Sequence, residues 1–244
     1  MTLLGVGSAQ AQTTLSDVPL YSASNVPANL MLALSVEFPT GTVAAYGNAT
    51  GYAKANTYLG YFDPAKCYDY SSSSPPDTQA NGYFVPVNAS GPVCTGHWSG
   101  NMLNWALMTA LDEFRQALTG GNRVVDTKSS TVLLRSNLNS QSTTGNDPQR
   151  QIYSGANVAP STVIGDPNYS SATEVWINVA GQGTQFVISN NSSFSNAGKT
   201  QTGGSSHNPT YTYYYATTYN AEVQVCVSGL EESNCNDNSA NTYV

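Results

Sequence analysis

Charge is what this sequence has least of. Lys and Arg number 8 and Asp and Glu 15 in 244 residues, 9% of the chain, against about 25% in ordinary soluble domains. With so few basic residues and a net charge of −7, nucleic acid is excluded as a partner, because its binding needs clustered Lys and Arg to displace counterions. Docking on anionic lipid is excluded on the same ground. Histidine is scarcer still, with His97 and His207 far apart. The four cysteines, Cys67, Cys94, Cys226 and Cys235, show no C-x-x-C spacing, so no zinc site is expected. Apolar runs fall well short of the roughly 20 residues that span a bilayer, which argues against membrane insertion. A phosphate-cradling loop is missing too, since TGGNR (119–123) follows a helix pattern whereas a P-loop precedes one.

What the chain does have is Ser, Thr, Asn and Gly in quantity, 16 Tyr, and 40% apolar residues, enough for a real core. The composition is that of secreted, β-rich surface proteins. At the N-terminus the short apolar run TLLGVG precedes SAQAQ, and Ala9 and Ala11 form the small-residue A-x-A pattern of a signal-peptidase site. Residues 1–11 therefore read as the tail of a signal peptide and 12–244 as the mature part. NDNSANTYV stops inside a polar stretch, so a fragment of a longer exported protein is expected. Export favours disulfides. Of the three possible connectivities the sequential pairing, Cys67–Cys94 and Cys226–Cys235, is the simplest.

Residues 29–36, NLMLALSV, read as a buried strand ended by FPTG. Residues 42–97 carry no long periodic element and read as a Tyr-rich insertion bracketed by Cys67 and Cys94. One long helix is expected from WSGNMLNWALMTALDEFRQALTGGNR (98–123), with Ser99 as N-cap and Gly120–Gly121 as left-handed stop. Leu103, Leu107, Leu111, Phe114 and Leu118 make one apolar stripe for a core. Trp105 falls opposite the stripe, and Tyr58, Tyr61, Phe62, Tyr68 and Tyr83 of the insertion are its expected cover. TVLLR (131–135) reads as a short strand or helical turn, 174–189 as a hairpin turning at Gly181 and Gly183, 190–209 as a polar loop, and 210–230 as strands. From residue 151 on, the acids Asp166, Glu174, Glu222, Glu231, Glu232 and Asp237 face one base, Lys199.

No catalytic constellation emerges. GHWSG (96–100) places its serine one residue away from the G-x-S-x-G nucleophile elbow, and Ser99 is better used as a cap. Asp112–Glu113 are adjacent on a helix, about 100° apart, and read as a solvated face. EESNCNDN (231–238) lacks the spacing of an EF-hand loop. Sequons at Asn48, Asn88, Asn190 and Asn191 are expected by chance in so Asn- and Ser-rich a chain. Tyr is at once a common contact residue and a strand former.

Several segments in order, NLMLALSVEFPTG, YLGYFDPAKCYDY, NGYFVPV, CTGHWSGNMLNWALMTALDEFRQALTGGNRVVDT with TVLLR, and VCVSGLEESNC, together resemble the N-terminal region of PilC/PilY-type proteins, the type IV pilus tip-associated adhesins. The resemblance covers 28–135 densely and 220–235 thinly. It implies export to the outer-membrane surface and pilus tip, pilus biogenesis, adhesion, and pilus-tip or minor pilin subunits as partners. It also implies a mixed α/β fold with a divergent von Willebrand factor A-like core under β-rich, disulfide-bracketed insertions. In that core the first strand ends in a D-x-S-x-S metal motif. Here Ser35, Val36, Glu37, Phe38 and Pro39 stand at that place, so no metal ligand is carried over. Calcium belongs to a C-terminal propeller that this sequence does not contain. The expectation is a non-enzymatic adhesin domain without cofactor. The alternatives are a secreted carbohydrate-binding β-module and, further off, a secreted hydrolase.

Overall fold

A computed structural model describes residues 43–47, 51–72, 82–127, 130–136, 149–153, 158–195, 198–232, 235–238 and 241–243. The chain divides into two units, Met1–Leu34 and Ser35–Val244, and every described residue lies in the second. The expected leader at 1–11, the strand at 29–36 and the divergent motif at 35–39 fall outside the described residues.

The Tyr-rich segment is no insertion. KCYDYS and YFVPVNAS form strands β1 (Lys66–Ser71) and β2 (Tyr83–Ser90), paired antiparallel. Tyr68 and Phe84 share one face of the pair and Cys67 falls on the other, yet all three are buried. The two-residue strand β3 (Trp98–Ser99) pairs with β1, setting Cys67 opposite Ser99. Further along come β4 (Arg123–Asp126), β5 (Thr131–Leu134), β6 (Arg150–Tyr153), β7 (Glu174–Ala180) and β8 (Gln185–Ser189). They are followed by β9 (Gly198–Ser205), β10 (Asn208–Tyr214), β11 (Ala216–Asn220), β12 (Glu222–Val225), β13 (Asn236–Asn238) and β14 (Asn241–Tyr243). One sheet runs β3-β1-β2-β12-β5-β4 and a second β11-β8-β7-β6, while β9–β10 and β13–β14 are two-stranded ribbons.

In the six-stranded sheet only β12 with β2 is parallel; its other pairings are antiparallel. This is a mixed, strand-rich α/β domain. The von Willebrand factor A-like core implied by the resemblance would start at 29–36, and the described sheet does not display its parallel order. The two sheets meet through aromatic rings. Phe84 of β2 stacks on Phe186 of β8 at 6.0 Å and meets Trp98 edge-on at 5.4 Å, and Trp98 in turn meets Tyr219 of β11 at 5.0 Å. Edge-to-face pairs of this kind add to plain area burial.

The single long helix is in fact two. α1 spans Gly100–Leu107 and α2 spans Ala110–Thr119. Between them Met108 and Thr109 are extended, with ψ of 138° and 164°. The break is held by backbone bonds from a segment upstream. Ala45 N donates to Met108 O and Ala110 N to Val43 O, both at 2.9 Å. Thr109 and Asp112 then restart the helix with a reciprocal capping box, and Gly120, at φ 75°, ends it as expected. The proposed stripe splits accordingly. Leu103 and Leu107 are buried, whereas Phe114 and Leu118 are 41% and 43% exposed.

Two further corrections concern polar segments. Part of 190–209 is not loop but the exposed ribbon β9–β10. Asp112 is not on a solvated face; it is buried, accepting from Thr109 N, Thr109 Oγ1, Ser136 N and Ser136 Oγ. The hairpin at 174–189 is present as β7 and β8, turning through Gly181–Gly183.

Candidate functional site

The motifs that single this sequence out, GYFDP (60–64) and WSGN-x-LNWA (98–106), fold onto each other. Ser99 caps α1, its Oγ accepting from Met102 N at 3.3 Å and donating to Pro92 O at 3.1 Å. Asn101 accepts from Tyr58 N at 2.8 Å and donates to Asn56 O at 2.8 Å. One turn on, Asn104 accepts from Phe62 N at 3.1 Å and donates to Phe62 O at 2.6 Å and Tyr58 O at 2.8 Å. Two buried side-chain amides thus satisfy the backbone of a loop that has no strand partner of its own, as buried polar groups require.

Glycines allow the approach. A Cβ on Gly60, at φ 150°, would lie 2.4 Å from Met108 Cγ, and one on Gly100 would lie 2.2 Å from Asp63 O. Trp105 is 1% exposed. Its cover does come from upstream, but the ring against it is Tyr52 at 5.6 Å, not one of the five expected donors. Its other neighbour is the guanidinium of the buried Arg150, 5.4 Å from the ring centroid. Arg135, also fully buried, donates Nε to Leu107 O at the α1 C-terminus and Nη1 to Gly183 O at 3.0 Å. That cation sits where the helix dipole favours one.

Both cysteine pairs are bonded in the sequential order. Cys67–Cys94 has Cα atoms 5.6 Å apart and Cys226–Cys235 5.5 Å. The first fixes the segment that enters α1. Inside the second, Glu232 Oε2 accepts from Cys226 N at 2.7 Å and Glu231 Oε1 from Gly229 N at 2.8 Å. Glu232 Oε2 and Glu231 Oε1 are therefore spent on their own loop. Cys226, Glu232 and Cys235 do cluster, but the sulfurs are oxidised to one another and unable to ligate as thiolates.

The serine and histidine of GHWSG (96–100) have separate partners. His97 Nδ1 lies 2.6 Å from Asp69 Oδ1, which orients the ring, but the hydroxyl of Ser99 is buried and bonded elsewhere.

A separate, open surface involves none of these motif residues. A groove of about 750 Å³ runs between the turn at Pro167–Asn168, the start of β7, the Asn190–Ser192 loop and the end of β10. Asn190 closes its floor, donating to Tyr213 O at 2.6 Å and accepting from Tyr215 N at 2.9 Å. Thr212, Tyr213, Tyr214 and Glu174 line it with hydroxyls and one carboxylate. Tyr213 is 51% exposed and Tyr211, on the same strand, 40%, and Lys199 Nζ stands 4.5 Å over the Tyr211 ring. Of the sequons, Asn88 is exposed on β2, Asn190 and Asn191 are occupied in the groove's own hydrogen bonds, and Asn48 lies outside the described residues.

Asn101, Asn104, Arg135 and Arg150 are the structural residues that sequence reasoning missed. The available signal was polarity out of place: two Asn three residues apart between tryptophans, and two Arg flanked by TVLL and QIY.

The fold and these contacts define a disulfide-bonded α/β module with a motif-locked interior and an open, polar, tyrosine-bearing face. The profile described as "PilY1 homolog, small alpha/beta domain" matches residues 49–213, and the chain belongs to this family. A type IV pilus biogenesis factor PilY1 homolog of Xylella fastidiosa (strain Temecula1 / ATCC 700964) is 39% identical over 153 residues, 60% of this chain and 12% of the relative. A second so-named protein of that strain is 36% identical over 77 residues, 32% of this chain and 5% of the relative. The chain thus spans a small fraction of the curated relatives it matches. No solved structure matches it.

Proposed function

We propose that this chain is an exported, non-enzymatic part of a type IV pilus biogenesis factor. On this reading it acts at the pilus tip, where it meets tip or minor pilin subunits and contributes to attachment. The observation that carries the reading is the division of labour in the molecule. The family's motif residues, Gly60, Asn101 and Asn104 among them, are consumed in holding the interior. What remains outside is a Tyr- and hydroxyl-rich contact face. Two disulfides suit an oxidising compartment, and no helix among the described residues is long and apolar enough to cross a membrane.

The test is a chromosomal Tyr211→Ser/Tyr213→Ser variant, scored for surface pili and for adherence per piliated cell. Normal pili with reduced adherence is the expected result. Lost pili with unchanged adherence per piliated cell would restrict the role to assembly. Unchanged pili and adherence would remove this face from the function.

The polar groove favours one alternative, a carbohydrate-binding module, because hydroxyl and amide side chains line it together with the exposed Tyr213. A glycan array with the isolated chain, repeated with Tyr213→Ala, distinguishes the two.

A further inference from the structure

A second cleft, of about 500 Å³, opens on the outer side of the GYFDP loop, between that loop, α2 and the end of β12. Its walls are mostly apolar: Phe62, Pro64, Ala117 and Val225 contribute. Three acidic residues also line it: Asp63 in the loop itself and, from opposite sides, Glu113 on α2 and Glu232 in the Cys226–Cys235 loop. Glu232 is 4% exposed. Glu113 and Glu232 each keep one oxygen, Oε1, buried and without a hydrogen-bond partner, and Gln116 Oε1 on α2 is a third such acceptor.

Unpaired buried acceptors carry a desolvation penalty, larger when charged, so they mark a place where a donor is missing. Burial pushes the Glu113 carboxyl up to about 7 and raises Glu232 as well. Lys66, whose Nζ donates to Leu230 O at 2.6 Å, lends Glu232 some counter-charge without occupying its Oε1.

We propose that this cleft receives an arginine side chain from a protein partner, with the stem against the apolar walls and the guanidinium between Glu113 and Glu232. A divalent cation fits less well. Among the described residues, no three carboxylate or imidazole groups bring ligand atoms together here; the one cluster found includes both bonded cysteines. Hard cations take six or more oxygens. Guanidinium suits the site better than ammonium. It is planar, carries five donors that can serve acceptors on two walls, and is more weakly hydrated, so entering an apolar cleft costs it less. The inference is independent of the polar groove and stands whether or not that face is adhesive.

The experiment uses the full chain with amide resonances of Ala117 and Val225 as reporters. It is titrated separately with Nα-acetyl-L-arginine methylamide, with the citrulline analogue (the neutral isostere) and with calcium chloride. Saturable shifts with the arginine compound are expected, with affinity about tenfold or more above that for the citrulline compound, as loss of a charge-assisted pair implies. Glu113→Gln should weaken the arginine compound by a similar factor. Ala117→Trp, at an exposed helix position that borders the cleft, should abolish the Val225 shift while the remaining resonances stay in place. Glu232→Gln should weaken the arginine compound likewise, and Ala117→Trp covers the case in which that variant disturbs the disulfide loop. Equal binding of the citrulline compound, no saturable shift, or tighter saturation of the same reporters by calcium would each overturn the proposal.

Discussion

α1 and α2 follow each other with only Met108 and Thr109 between them, yet they live in different environments. All residues of α1 are buried, including Asn101 and Asn104, while in α2 the buried residue is Asp112. The difference lies in how many sides are covered. α1 packs on β1 and β3 with one side and on the 52–62 loop with the other, so even its polar residues find buried backbone partners. α2 has a floor but no roof. A helix buried on both sides needs no amphipathic stripe; it needs polar groups matched to what covers them.

The sharpest test is Trp105→Ala in α1. Truncating a fully buried indole should cost about 3 to 5 kcal/mol in denaturant unfolding, toward the upper end because Arg150 loses its ring. A loss under 1 kcal/mol would mean that the loop collapses onto α1 without it, and the two-sided picture would fail. Next in size is the disulfide that pins the approach to α1. Replacing Cys67 and Cys94 by Ala opens a loop of 27 residues' separation and should cost about 3.5 kcal/mol in the chain-entropy account. Opening Cys226–Cys235, separated by 9 residues, should cost about 2.6 kcal/mol. If the order reverses in thermal melts of the two double variants, the first bridge is not what secures α1.

Much of this was legible beforehand. The Ser99 cap, the Gly120 stop and the 174–189 hairpin rest on local chemistry, which is written in neighbouring residues; the cysteine pairing follows from sequential order, and a covered Trp105 from its place opposite Leu103 and Leu107. The break at Met108–Thr109 was not legible, because the bonds that impose it come from Val43 and Ala45, more than sixty positions upstream. For the same reason β1 and β2 passed as an insertion. Their alternation is masked by Tyr on both faces, and Tyr70 serves the aromatic cluster while only half-buried. The contact surface was legible only as a surplus of Tyr. Which tyrosines point outward was decided by the ribbon β9–β10, whose Gly- and Thr-rich strand reads as loop.

On α2 the expected effect depends on pH. The fold raises the Glu113 pKa from 4.5 to about 7, first through burial and second through the charge of Asp112. A carboxyl whose pKa is raised by folding favours the protonated native state. Its contribution is therefore complete below the ordinary carboxylate range and is lost as pH rises through about 7. Glu222 on β12, raised to about 7 by burial, behaves alike. Wild-type stability should decline between about pH 5 and about pH 8, and Glu113→Gln and Glu222→Gln should each flatten the decline. A Glu113→Gln profile superimposable on wild type would place that carboxylate in water, and with it the wall of the cleft.

The smallest effect belongs to the outer side of α2. Phe114 and Leu118 are the residues that periodicity assigned to the core, and they are four apart on an exposed face. Truncating either to Ala forfeits little buried area and at most an i,i+4 contact of about 0.2 to 0.5 kcal/mol. Alanine is also the better helix former, which offsets part of that. Phe114→Ala and Leu118→Ala should therefore stay within about 0.5 kcal/mol of wild type, while Leu103→Ala, at the equivalent place on α1, should cost about 2 to 5. If Phe114→Ala instead approaches the cost of Leu103→Ala in the isolated chain, the outer face of α2 is covered and the contrast between the helices disappears. If it is silent in the isolated chain but lowers pilus-dependent adherence, the exposed pair belongs to a contact made outside this domain.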